Sequence, residues 1–348
     1  MKTARQTVYP NKNTRKHYHS FFHSWIALLI GLFILVSPVY LFSQACCSGG
    51  VPLGGSLGLG TAEKKSLQFL LTYDYNLLND LMDGSEFLID DTRSRTTHSA
   101  ILEINYGLST RFSIATVFPV IRQERNICSY GENRDFTATQ GLGDMALLLK
   151  YRAIDPNKYS EWEWVLGAGP KFPTGKTTFT NNQGLALAAD MQPGSGSMDV
   201  LFWSFLQKHN LGHPNLSIMA VTTLRYSGEN RNYNQTQVYR FGNEFQLNLG
   251  GNYSTYLNWP IDLFTWFRYR TQGEDLIDGH EFPGSGGQWV FFIPGANIHF
   301  HPNLSLRLSG DIPVYRHLKG TQLTTSYRLT MALSYNLPLR KESILVIN

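Results

Sequence analysis

Residues 140–176 read QGLGDMALLLKYRAIDPNKYSEWEWVLGAGPKFPTGK. Two alternating stretches are joined by a polar connection, DPNKYSE. In the first, Met145, Leu147, Leu149 and Tyr151 fall on one side, and Asp144, Ala146, Leu148, Lys150 and Arg152 on the other. In the second, Trp162, Trp164, Leu166 and Ala168 oppose Glu163, Val165, Gly167, Gly169 and Lys171. Period two sustained over about ten residues is a strand signal. Tyr151 and Trp162 close the two apolar stripes beside the turn. Aromatic residues at the ends of apolar stripes mark a hairpin that crosses a bilayer. The two stretches are therefore predicted to be neighbouring antiparallel strands of a transmembrane barrel.

The pattern repeats along the chain. Strands are predicted at 66–76, 98–106 and 111–120, then in the opening hairpin, then at 198–207, 216–226, 238–249, 261–270, 289–299, 304–315 and 323–336. The connections alternate in length. Those after the second, fourth, sixth, eighth and tenth strands are short. Those after the first, third, fifth, seventh and ninth are longer, at 77–97, 121–140, 173–197, 227–237 and 271–288. The last, at 317–321, is short and breaks the trend. Short turns on one side and long loops on the other characterise outer-membrane barrels, and an even strand count puts both termini on the periplasmic side. The expected fold class is all-β: an antiparallel transmembrane β-barrel of about twelve strands, with short periplasmic turns and long outer loops. The expected location is the outer membrane of a Gram-negative-type bacterium. The expected partners are outer-membrane lipid, a small-molecule solute and the barrel-assembly machinery.

Composition fits this reading. Only 16% of the 348 residues are charged, against roughly 25% in ordinary soluble domains. The mean hydropathy is −0.21, unremarkable because only alternate barrel residues meet lipid. A net charge of +4, scattered along the chain, gives no nucleic-acid-binding surface. Residues 1–24 are basic and polar, 25–36 read WIALLIGLFILV, and Ser43-Gln44-Ala45 supplies a small-residue cleavage site. The expected organisation is a signal peptide at 1–45, a Cys/Gly-rich leader at 46–63, the barrel at 64–338 and a tail at 339–348. An uncleaved anchor helix is the competing reading of the apolar run. For Cys46 and Cys47, lipidation of Cys46, a bridge from either to Cys128, and a vicinal metal-binding pair stay open.

Lipid satisfies no backbone group, so the sheet must close on itself. The polar faces then line a lumen holding Asp74, Glu103, Arg111, Asp144, Lys150, Arg152, Glu163, Lys171, Arg225, Arg240, Glu244, Arg307, Asp311 and Arg328. Both signs are present, so no strong ion selectivity is expected. Leu201, Trp203, Phe205, Met219 and Val221 fall on the same inner side. A part-polar, part-apolar interior suits apolar or amphiphilic solutes. The competing readings are a packed plug and a slip in register. The solute-path candidates are Asp144, Lys150, Trp203, Phe205, Arg225, Arg240 and Glu244, with residues 177–191 as an inward-folding gate.

No catalytic motif survives inspection. Gly175-Lys176-Thr177 lacks the earlier glycine of a phosphate loop, since that position is Pro170, and no helix follows. Gly141-Leu142-Gly143-Asp144 likewise opens no helix. His98 and Ser99 are adjacent on a strand and point to opposite faces. The histidines show no metal-ligand spacing. Neither a cofactor nor a metal nor an enzymatic activity is expected.

Three motifs occur in order: GLGDMALLLKYR at 141–152, GPKFPTGK at 169–176 and MQPGSGSMD at 191–199. Together they resemble the outer-membrane channel proteins of the meta-pathway phenol-degradation type, distant relatives of fatty-acid transport barrels. The resemblance covers about 141–199 and fades outside it. It implies a barrel that takes up hydrophobic or aromatic compounds. The chain departs from the usual barrel end: its last strand closes on Leu337-Pro338 and a further tail, not on a terminal aromatic. The expected function is a channel for passive uptake of small hydrophobic or aromatic solutes. The alternatives are a structural or adhesion barrel with a blocked lumen, and a barrel-borne lipid hydrolase.

Overall fold

The computed structural model describes residues 60–128, 134–156, 160–181 and 184–339. The expected signal peptide, Cys46, Cys47 and most of the expected tail lie outside the described residues.

The chain runs through β1 (Ser66–Asp83), β2 (Glu86–Leu88), β3 (Arg93–Gly107), β4 (Phe112–Cys128), β5 (Arg134–Leu142), β6 (Met145–Ile154) and β7 (Trp162–Phe172). A single 3₁₀ turn at Ala189–Met191 precedes β8 (Asp199–Lys208) and β9 (Leu216–Tyr226). Then come β10 (Asn230–Tyr233), β11 (Gln237–Arg240), β12 (Glu244–Tyr256), β13 (Pro260–Gln272), β14 (Leu276–Ile277) and β15 (His280–Glu281). The last three are β16 (Gly287–His301), β17 (Leu304–Leu318) and β18 (Thr321–Pro338). Fourteen strands form one sheet. Of these, β2 and β5 pair only at the rim, leaving twelve staves. The sheet closes through antiparallel pairing of β1 with β18, from Ser66 opposite Pro338 to Asp83 opposite Thr321. The strands β10, β11, β14 and β15 form a separate small sheet.

Closure sorts the side chains by parity. On β1, Thr72, Asp74 and Asn76 are buried in the lumen, while Leu71 and Tyr73 are exposed outside. The outer surface carries exposed Leu149, Leu166, Phe202, Leu249, Phe267, Ile312, Leu329 and Leu333. Such a surface, wrapped round a sheet with no open edge, fits lipid rather than water. The shortest staves have 10 residues, enough to cross a bilayer when tilted. At the short-turn end, Phe112 packs on Tyr151 at 5.0 Å and Trp259 on Phe300 at 5.6 Å. Lys208 sits over Trp162 at 5.7 Å. These rings form the interfacial girdle on that side.

Three expectations about strand limits are corrected. The first strand continues past 76 to Asp83 because irregularities flank Leu78. Leu78 keeps the inward parity of Thr72, Asp74 and Asn76, but beyond it the adjacent Leu81 and Met82 are both buried, so the alternation breaks while the pairing continues. The expected loop at 121–140 is mostly the hairpin of β4 and β5. Its two faces are both polar, as suits a hairpin standing above the bilayer. The expected strand at 238–249 is two strands. Gly242 approaches Gly273 so closely that a Cβ there would lie 1.5 Å from a carbonyl oxygen. The chain turns at that contact, and Tyr239 and Phe241 are buried rather than facing lipid.

Candidate functional site: the lumen and its inward-folded segment

The middle of the lumen is filled. One apolar cluster joins Ile101, Val117, Leu148, Val165, Leu201, Trp203, Phe205 and Val221 across six staves. A second joins Leu78, Met82, Phe264, Trp289, Phe291, Ile293 and Leu318. Trp266 packs against both. Trp203 and Phe205 stack at 6.1 Å with ring planes 10° apart. Lys150 lies 4.7 Å from the Trp203 ring and 3.2 Å from Glu103. Lys150, Glu103 and Leu148 are 0% exposed, so no water-sized space touches them. At this level the lumen is closed.

Ion pairs tie the staves together around these clusters. Glu244 meets Arg225 and Arg270, each at 3.2 Å. Asp311 meets Arg268 at 2.5 Å, and Asp74 meets Arg328 at 3.6 Å. Pairs this deep are costly to break because the surviving charge has no water to turn to. Both signs are balanced locally, which matches the mixed lumen read from the sequence.

Nearer the long-loop end, the three motif segments converge. Lys171 Nζ lies 2.5 Å from Asp144, 3.1 Å from Asp199 and 2.5 Å from Ser195 Oγ. Asp144 also accepts the backbone amides of Gly175 and Ser195 at 3.0 and 2.9 Å. Ser197 Oγ donates to Asp199 at 2.8 Å. A lysine beside a serine invites comparison with a nucleophile–base pair. Here the ammonium is committed to two carboxylates, and the serine hydroxyl donates to Asp144. All five side chains are buried. The cluster is a clamp that closes β6, β7 and β8 over the chain between them.

That chain, the connection from β7 to β8, folds inward. Leu187, Ala189, Met191, Gln192, Ser195 and Ser197 are buried. Gln192 holds Phe179 by a pair of backbone bonds, 3.0 Å to its amide and 2.9 Å to its carbonyl. Thr139 on β5 donates to the Met191 carbonyl at 2.7 Å. Arg95 on β3 reaches Asp190 at 2.5 Å. Above it, Ala189 packs with Tyr239 and Phe241. Asp275, between β13 and β14, accepts the Gly242 amide at 2.8 Å and the Tyr239 hydroxyl. Burial pushes the Asp275 carboxyl up to about 7, against the pull of its hydrogen bonds and of Arg225.

The structure places Asp144, Lys150, Trp203, Phe205, Arg225 and Glu244 inside the barrel. It separates them into the clamp, the Lys150–Glu103 cluster and the Arg225–Glu244–Arg270 group. Arg240 is not among them: it lies on β11, in the small sheet. Arg111 also leaves the lumen set, since it is exposed in the turn before β4. Cys128 ends β4 at the long-loop end and has no disulfide partner among the described residues. The sequence reading missed Arg95, Ser195 and Asp199, and held Asp190 only as one residue of the expected gate. The available signal was the polar density of PGSGSMD beside the expected gate.

The outer wall carries an apolar depression of about 470 Å³ over β6–β9 and the edge of β12, lined by Leu149, Tyr151, Leu166, Phe202 and Phe245. The small outward residues Ala168 and Ser204 form its floor.

No family model matches this sequence, and no curated protein matches it significantly. Solved structures do. An outer-membrane channel from Pseudomonas putida F1 superposes with a TM-score of 0.60 at 18% identity, covering 82% of this chain and 98% of that one. The toluene transporter TodX of P. putida gives 0.39 at 9% identity, with 80% and 90% covered. A FadL homologue of Pseudomonas aeruginosa gives 0.37 at 11%, with 86% and 100% covered. The last two are too loosely superposed to carry an argument. The first shows the fold alone: this chain is built as a closed antiparallel barrel like that one, here with twelve staves.

Proposed function

We propose that the protein is an outer-membrane channel for passive entry of small hydrophobic or aromatic solutes. The inner wall carries the reading. It sets two apolar clusters, meeting at Trp266, beside a locally neutral ionic lattice. A general aqueous pore has no use for Leu148, Leu201, Trp203 and Phe291 inside. An apolar solute gains by sliding along such a wall, at about 25 cal/mol per Å² of surface removed from water. The P. putida protein with this fold is a channel by name, which supports the same reading and the outer membrane as the location.

In this reading Trp203 and Phe205 contact the solute, and Lys150 moves with Trp203. Arg225 and Glu244 hold the wall, Asp144 anchors the clamp, and residues 177–191 gate the passage. Opening displaces the inward-folded segment and parts the clusters. The outward apolar belt meets membrane lipid, and insertion falls to the barrel-assembly machinery. No catalytic role is assigned.

The test is solute entry into liposomes carrying the refolded protein, comparing a small sugar with a small aromatic. Faster entry of the aromatic is expected. Equal entry would mean a general pore. A second reading, a structural or adhesion barrel with a blocked lumen, draws on the complete burial of Lys150, Glu103 and Leu148. Entry of neither solute by a folded barrel would decide for it.

A further inference from the structure

The lumen is sealed in the middle but not at the short-turn end. There the inward-facing Asn252, Trp266, Asn297 and Arg307 are only half-buried, so water enters a vestibule from that side. Arg307, on β17, lies in its wall. The guanidinium sits 5.5 Å from the Trp266 ring and 5.9 Å from Phe264. Those rings stack at 4.6 Å.

Arg307 differs from the cations above it. Lys150, Lys171, Arg225, Arg268, Arg270 and Arg328 each hold a carboxylate within 4.0 Å. Among the described residues Arg307 holds none. The carboxylate acting on it from further away is Asp262. Asp262 is already engaged by Ser254 at 2.7 Å, His299 at 2.7 Å and Asn297 at 3.4 Å. The aromatic rings cover the face of the guanidinium and leave its edge donors free. An arginine stacked on rings keeps the planar fork that matches a carboxylate bidentately.

The geometry points to a carboxylate-docking site in this vestibule: Arg307 binds the acid group of a small amphiphilic solute, and Trp266 meets its apolar part. Trp266 also touches both apolar clusters, so the site lies where the proposed passage empties. This deepens the channel reading and rests on it for its biological meaning. The binding itself is separable from transport.

The probes are benzoate and its neutral isostere benzamide, titrated by calorimetry against the folded barrel in detergent. The wild-type protein should bind benzoate about tenfold tighter or more, as expected for a charge-assisted pair. Arg307→Met should abolish that preference, and Arg307→Lys should retain part of it, since the charge stays but the fork is lost. Heat-modified gel mobility confirms that each variant is folded. Equal binding of the two probes by wild type, or a benzoate preference that survives in Arg307→Met, overturns the site. Inorganic phosphate binding as tightly as benzoate overturns the assignment to organic acids. If benzoate binds preferentially while no aromatic enters wild-type liposomes, the channel reading fails and the site stands.

Discussion

Arg95 on β3 and Asp190 in the connection between β7 and β8 meet at 2.5 Å across 95 residues of sequence. The same guanidinium reaches the Asp190 carbonyl and the Gln123 side chain. One arginine therefore staples the inward-folded segment to β3, three staves round the wall from β7. Arg95 is 5% exposed and Asp190 35%, so solvent weakens the pair on one side only.

Arg95→Ala should raise aromatic entry into liposomes. Charge-assisted bonds are worth about 1.5–3 kcal/mol. Discounting for the exposure of Asp190 leaves about 1.4 kcal/mol, or about tenfold in the open fraction. Stopped-flow entry measures it. An unchanged or slower rate would show that this segment does not gate.

Lys171→Met should destabilise the barrel by about 3–5 kcal/mol, because Asp144 and Asp199 remain buried without their cation. The temperature at which folded gel mobility is lost reports it. A shift no larger than that of an exposed lysine, such as Lys64→Met, would contradict the clamp.

Gly175→Ala tests the same junction sterically. A Cβ at Gly175 would lie 2.5 Å from the Gly194 Cα and 2.9 Å from an Asp144 oxygen. Backbone cannot yield there, so a loss of about 1–3 kcal/mol is expected. Gly184 has positive φ but nothing within 4 Å of its Cβ position. Gly184→Ala should cost only about 1 kcal/mol of local strain and leave the clamp seated. Equal effects of the two substitutions in the gel-mobility assay would refute the packing argument.

The junction of Asp275 with Tyr239 and Gly242 should loosen as pH rises. The folded carboxyl sits at about 7, above its ordinary 3.8. The folded state therefore binds the extra proton, and the stabilisation present at low pH is lost as pH rises through about 7. Tyr239, Tyr233, Asp190 and Arg225 are the titratable and charged groups that act with it. Hydrogen exchange in 237–243 and 273–282, corrected for intrinsic rates, should be faster at pH 8 than at pH 5. Asp275→Asn should remove the difference. Its persistence in that variant would assign the pH effect elsewhere.

Much of the barrel was legible because period two survives wherever one face meets lipid and the other does not. Leu149 and Tyr151 against Leu148 and Lys150 is such a case. Legibility failed where that contrast fails. Above the bilayer one face of the β4–β5 hairpin meets water and the other turns polar residues, Gln123 and Thr139, onto the inward-folded segment, so without an apolar stripe it read as a loop. Beyond Leu78 the irregular pairing shifted the phase, and at Gly242 a backbone contact turned the chain.

Alternation, with the connection lengths and lipid's inability to satisfy backbone groups, determined a closed antiparallel sheet of about twelve staves with an apolar outside and a mixed inside. It also put Trp203, Lys150 and Glu244 on the inner face, because a strand's side chains alternate whatever their partners. The tertiary structure decided which charges meet. Asp144, Lys171 and Asp199 come together because β6, β7 and β8 are neighbours in register, a relation absent from any single strand's pattern. The tertiary structure also left Arg307 without a carboxylate and sealed the lumen above it. Side-chain length and stave register determine both, and neither leaves a periodic trace in the sequence.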